Sequence, residues 1–253
     1  IGIVVLGVLE VENSIIESCD SNGYFFMVRG LASIESSTIK GVRSIFPMAE
    51  GILVTTMFFQ LRNSTLRSYD NHALTVFFPY LVESDYAVGS DVQGIMTVSS
   101  RVNVRNSTVG DLAFRYAFGE FNLWNCTYMS VSSTGGLGFV YSWRYIQVRT
   151  SLPEADLTIT NSEGHEISVG RTDSQGYYRS WWLSQSHFVD MKRTVGFNYN
   201  PHTFEAWKTV EGEILIGGLG GGLKRVSFAQ DYYGVTTQDI EENPFIEIDM
   251  RPL

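Results

Sequence analysis

Four histidines, His72, His165, His187 and His202, are the side chains of this 253-residue chain best placed in pKa for proton transfer or metal ligation. None sits in a ligand spacing such as His-Glu-x-x-His, and no strand-turn-helix serine elbow accompanies them. The run Gly217 to Gly222 invites a phosphate-loop reading, but Leu223 separates Gly222 from Lys224 where such a loop needs Gly-Lys-Ser/Thr. It reads instead as a flexible loop or tight bend. Thr172-Asp173-Ser174 carries a single carboxylate, too few for a hard cation. Cys19 and Cys126 are too few for a disulfide framework or a structural zinc site. The expectation is therefore no catalytic residue, no metal and no cofactor.

What the polar residues do form is a repeat. A six-residue pattern recurs as V-E-N-S-I-I from Val11, I-E-S-S-T-I from Ile34 and L-R-N-S-T-L from Leu61. It returns as L-V-E-S-D-Y from Leu81, V-R-N-S-T-V from Val104 and L-W-N-C-T-Y from Leu123, with a degenerate V-R-T-S-L-P from Val148. The intervals vary around about 22 residues, as stacked coils with loops of adjustable length would produce. The segments are rich in Val, Ile, Thr and aromatics with period-two alternation, so the coils are built of strands. In a parallel stack, equivalent residues lie about 4.8 Å apart. The third and fourth columns (Asn13–Ser14, Ser36–Ser37, Asn63–Ser64, Glu83–Ser84, Asn106–Ser107, Asn125–Cys126) then form polar ladders at the bends. The first and last columns stack into an apolar core.

Asn63, Asn106 and Asn125 also begin glycosylation sequons, N-S-T, N-S-T and N-C-T. A glycan cannot occupy a buried rung, so the two readings compete, and a buried ladder is favoured because the repeat itself generates Asn-Ser. Cys126 replaces a ladder serine. Cys19 lies five coils away, roughly 24 Å at the stacking distance and beyond disulfide reach. Free thiols are expected, with an intermolecular bridge from Cys19 as the alternative.

The net charge of −9 argues against a nucleic-acid partner, which calls for a basic face. Residues 1–150 carry 12 acids and 10 bases, and residues 151–253 carry 15 and 8, so the surplus is in the second half. No uncharged apolar run reaches the length of about 20 residues that a spanning helix needs. The first residue is Ile, and the stretch Ile1–Leu9 already reads as strand, as expected of a processed or partial chain.

The repeat resembles the right-handed parallel β-helix of pectate-lyase-like and cell-surface repeat proteins. The Asn-Thr-Asp, Asp-Asp, Gly-His-Gly and Arg-Ile-Lys signatures of its polygalacturonase-like enzymes are absent, and the ladder holds one carboxylate, Glu83. From about Arg144 the pattern changes to strands alternating with turns at Asn161–Gly164 and Thr172–Gly176. Pro153, Ala155, Gly164, Thr172, Asp173, Gly176 and Tyr177 match the carboxypeptidase-regulatory-like, transthyretin-like β-sandwich, whose closing strand resembles Asn198 to Lys208. This pairing is similar to archaeal surface proteins of the S-layer, sheath or filament kind.

The expected fold is thus all-β: a parallel β-helix of about seven coils over 1–147, a transthyretin/Ig-like sandwich over 148–211, and a glycine-rich connection with an acidic, strand-forming tail over 212–253. The resemblance implies an extracellular structural protein whose partners are copies of itself, with glycans possible, no nucleic acid and no transmembrane segment in this chain. Assembly would use strand pairing at Ile1–Leu9 and at the tail segment P-F-I-E-I-D-M. The alternatives are a polysaccharide-active β-helix enzyme and a carbohydrate-binding adhesin displaying Trp181, Trp182 and Trp207.

Overall fold

A computed structural model describes residues 2–5, 8–17, 24–28, 31–47, 58–68, 74–77, 85–98, 101–115, 118–217 and 223–253. Every regular element among them is a β-strand, as the abundance of β-branched and aromatic residues dictates. No helix of the described residues is long and apolar enough to cross a membrane. The chain divides into two compact units, Ile1–Trp143 with Gln185–Phe197, and Arg144–Ser184 with Asn198–Leu253.

The first unit is a parallel β-solenoid, and its described residues amount to about four turns. One sheet runs in the order Val8–Glu12, Leu31–Glu35, Phe58–Arg62, Asp85–Val88, Arg101–Arg105, Phe118–Trp124 and Leu137–Thr150. The other runs Gly2–Val5, Tyr24–Val28, Thr38–Pro47, Thr65–Ser68, Asp91–Val98, Thr108–Phe114 and Thr127–Ser133.

The register stacks like on like. Val11, Ile34, Leu61, Ala87, Val104 and Leu123 form one apolar column before the bend. Ile16, Ile39, Leu66, Val92, Val109 and Tyr128 form another after it. From Ile34 to Leu123 the first column is essentially without solvent contact. Each fully buried aliphatic side chain of this kind stabilises the fold by about 1.5–3 kcal/mol. Phe114 and Phe121 meet edge to face at 5.2 Å inside the same core.

Two expectations change here. The fourth bend is made by Gly89 and Ser90, because Ala87 and Val88 align with Leu61 and Arg62. Glu83 and Ser84, assigned to that rung from the sequence, lie outside the described residues, as do His72 and Cys19. The degenerate seventh copy, V-R-T-S-L-P from Val148, is out of register with the copy from Leu123. Trp143 aligns with Trp124, so a seventh bend would fall at Arg144, yet the strand Leu137–Thr150 continues through it. The other bends turn on Asn, Ser or Gly in the left-handed conformation; an arginine there would be strained, and the chain stays extended.

The second unit contains a five-stranded antiparallel sheet, ordered Glu166–Arg171, Asp156–Thr160, His202–Gly217, Leu223–Gln238 and Arg251–Pro252. Phe245–Ile248 pairs in parallel with the end of Leu137–Thr150, Gln147 facing Phe245 and Thr150 facing Ile248. The core joins Ile146 and Val148 to Leu157, Ile159, Phe204, Ile246 and Ile248, so strands of two sheets contribute to it. The tail strand thus has one pairing partner among the described residues, and its Ile246 and Ile248 side chains, each 2% exposed, lie in the core of its own unit.

A hydrogen-bonded corner as the candidate site

The residues singled out by the repeat meet at one corner of the solenoid. Asn13, Ser36, Asn63, Asn106 and Asn125 all have φ between 47° and 51°, and Gly89 has φ 60°. Asn tolerates this region because its short side chain bonds locally, and Gly lacks the Cβ that clashes there. Each residue donates its N–H to the next coil: Asn13 to the Glu35 carbonyl at 3.1 Å, Asn63 to Val88 at 2.9 Å, Asn106 to Trp124 at 2.8 Å.

The serine column closes the corner from within. Ser37, Ser64, Ser90 and Ser107 are buried. The Ser14 N–H donates to Ser37 Oγ at 3.1 Å, Ser37 to Ser64 Oγ at 3.0 Å, Ser64 to Ser90 Oγ at 3.2 Å and Ser90 to Ser107 Oγ at 3.0 Å. Each hydroxyl in turn donates within its own coil, Ser37 to Glu35, Ser64 to Arg62 and Ser107 to Arg105, at 2.6–2.7 Å. Cys126 holds the last rung, buried, with Sγ 3.3 Å from the Val104 and Trp124 carbonyls. Each of Ser37, Ser64, Ser90 and Ser107 satisfies a backbone donor that the bend would otherwise strand in the interior, where an unpaired group costs about 1–3 kcal/mol.

The asparagine column does not lie where the sequence suggested. Asn13, Asn63, Asn106 and Asn125 are exposed, because positive φ at the bend swings the side chain outward while the serine turns in. They still form a ladder, outside: Asn125 Nδ2 lies 3.4 Å from Asn106 Oδ1. Burial thus no longer opposes glycosylation at Asn63, Asn106 or Asn125.

Ser64→Ala removes the acceptor of the Ser37 N–H and leaves that donor buried and unmet. The expected loss is about 1–2 kcal/mol in urea denaturation. Cys126→Ser, which restores the column, is expected to change stability by less than about 1 kcal/mol.

The remaining candidates are held in structural roles. Asp173 accepts the N–H groups of Gln175 and Tyr177 at 2.9 and 2.8 Å, and the Tyr177 bond above all holds its carboxyl below the usual range. His165 is exposed at a turn. Trp182 is buried, Trp181 meets Tyr145 edge on at 5.3 Å, and Trp207 lies against Tyr233 at 4.2 Å. A column missed from the sequence runs along the outer face of the solenoid. Arg105 sits 4.8 Å over Trp124, which stacks on Trp143 at 5.0 Å. Their spacing of 19 residues was the available signal.

His202 is fully buried; its Nδ1 is 3.0 Å from Asn200 Oδ1 and its Nε2 has no hydrogen-bond partner among the described residues. Burial pushes its pKa below the ordinary 6.5, Asp239 opposing, and burial does the same to His187. Below pH 6.5 the unfolded chain therefore takes up protons that the folded chain refuses. Stability is expected to be full above that pH and to fall as acid is added, with thermal melts at pH 7.5 and 5.5 giving the sign. His202→Asn should weaken the dependence.

No protein-family model matches this chain, and no similar protein was found among curated proteins or solved structures.

Proposed function

We propose that this chain is an extracellular structural protein that builds a surface layer, sheath or filament by β-strand pairing between copies. The observation that carries this reading is a pair of edge strands, one in each unit. Val8–Glu12 pairs only with Leu31–Glu35, and Glu166–Arg171 only with Asp156–Thr160, among the described residues. Both edges expose apolar side chains, Val8 and Val169 at 65% each. Neither contains a lysine or a proline, and the charges that they do carry, Glu10 and Glu12 in one and Glu166 and Arg171 in the other, leave Val8 and Val169 uncovered. Joining one edge to the other kind on the next copy is a head-to-tail contact, which propagates into a chain when its rotation does not close.

The finer architecture fits the same purpose. A right-handed β-helix of up to seven coils is a stiff spacer, and the C-terminal unit, with core residues from two sheets, reads as a transthyretin-like sandwich. Exposed sequons on the corner support display outside the cell, as in the archaeal surface proteins that the sequence resembles. The carbohydrate-binding alternative gains little: Trp124 is covered by Arg105 and by Trp143, which gives it one face, and Trp207 gives one face to Tyr233.

Sedimentation velocity over a concentration series tests the reading. The wild type is expected to form growing oligomers, and Val8→Lys or Val169→Lys to hold the chain monomeric with unchanged circular dichroism. A wild type that stays monomeric at every concentration would end it.

A further inference from the structure

The strands His202–Gly217 and Leu223–Gln238 form a hairpin paired along all sixteen positions. Its neighbours stop early. Asp156–Thr160 reaches only to Trp207, and Arg251–Pro252 only to Tyr232 and Tyr233. From Val210 facing Gln230 to Gly217 facing Leu223 the arm is two strands and nothing more among the described residues. A two-stranded ribbon in water is marginal and normally gains stability from an apolar face laid on a third layer.

The end of this arm is apolar on both faces. Ile214, Ile216, Val226 and Phe228 share one face and Leu215 and Leu223 the other, as the facing pairs Ile214–Val226 and Gly217–Leu223 require. Their exposures run from 41% for Val226 to 71% for Leu223. A face that docks on a protein needs one apolar side. An end with apolar side chains on both faces, and one cation on each, suits a lipid interface. The charges are sorted along the arm as well. Lys224 and Arg225 are the only charged residues among the terminal pairs, while Glu211 and Glu213 lie behind them, Glu213 reaching Arg225 at 3.7 Å. The connecting residues 218–222 add four glycines and a leucine, and no charge.

We propose that this tip binds a phospholipid surface, its apolar residues entering the acyl boundary and Lys224 with Arg225 meeting the headgroup phosphates. From Ile214 to Gly217 is about 10 Å at the strand rise, which matches the depth of about 5–10 Å that interfacial segments reach. Lys224 faces Ile216 and Arg225 faces Leu215, so their long stems lie along the apolar side chains while the charged ends reach back to the phosphates, and binding strengthens with anionic lipid and weakens with salt. The inference stands apart from the assembly reading, since it uses neither edge strand.

Flotation with vesicles tests it. The wild type is expected to float with phosphatidylcholine vesicles and more fully when phosphatidylglycerol is added. Leu215→Glu with Leu223→Glu is expected to lower the floated fraction at least tenfold, and Lys224→Ala to remove most of the gain from anionic lipid. These side chains are exposed, so circular dichroism and melting of the variants should match the wild type. Failure of the wild type to float with either vesicle overturns the proposal, as does flotation indifferent to the double substitution. If the double substitution instead reduces self-association while no vesicle binds, the tip's partner is a second copy and the lipid assignment is wrong.

Discussion

Removing residues 245–253 is expected to abolish the cooperative unfolding transition of the C-terminal unit. The deletion takes away the strand Phe245–Ile248 and three buried side chains, Ile246, Ile248 and Met250. It also strips Ser151, whose N–H donates to the Ile248 carbonyl and whose Oγ accepts the Met250 N–H. Losing one such side chain costs about 2–5 kcal/mol, and three together approach the whole stability of a domain, about 5–15 kcal/mol. Trp182 belongs to the same core, so its fluorescence should shift to that of a hydrated indole. Phe245→Ala offers the contrast: at 63% exposure its removal should cost no more than about 0.5 kcal/mol. A truncated chain that melted as the full one does would mean that the tail strand is peripheral.

Gly110→Ala is expected to destabilise the solenoid by about 3 kcal/mol or more, at or beyond the usual range for overpacking. A Cβ there would lie 1.9 Å from the Gln93 carbonyl oxygen, a backbone atom of the adjacent strand that cannot rotate away. The strand Thr108–Phe114 would have to part from Asp91–Val98 in mid-sheet, between the aligned pairs Val109–Val92 and Asp111–Gly94. Gly217→Ala is the control. Nothing lies within 4 Å of its Cβ, and the same substitution should move the denaturation midpoint little.

The solenoid was legible because its physics repeats. An apolar residue, two polar residues at a bend and another apolar residue recur at every coil, and the eye needs only the letters. It fails where the physics is met by different letters. A-V-G-S-D-V from Ala87 puts a small residue in the core and a glycine in the left-handed bend, and it is the true fourth copy. L-V-E-S-D-Y from Leu81 matches the pattern better in letters, yet it is Ala87 that stands in register with Leu61. Burial of the asparagines was misjudged for a related reason: composition puts Asn and Ser on equal terms, and only the sign of φ decides which one faces in.

The second unit shows where a sequence stops informing. The strand Glu166–Arg171 and the tail strand both alternate apolar and polar residues and look alike on paper. Each has one partner, but Glu166–Arg171 pairs with the strand just before it and leaves Val169 bare, whereas the tail strand pairs with Leu137–Thr150, about a hundred residues away in sequence, and buries Ile246 and Ile248. Which strands lie side by side depends on contacts between distant segments, and alternation carries no record of them.

Mixing the two edge variants tests assembly most directly. Val8→Lys leaves Glu166–Arg171 intact, and Val169→Lys leaves Val8–Glu12 intact. If copies join one edge to the other, each variant alone should be monomeric, and an equimolar mixture should stop at a one-to-one dimer by light scattering, while the wild type continues to grow. A mixture that remains monomeric, or variants that assemble as the wild type does, would contradict the account.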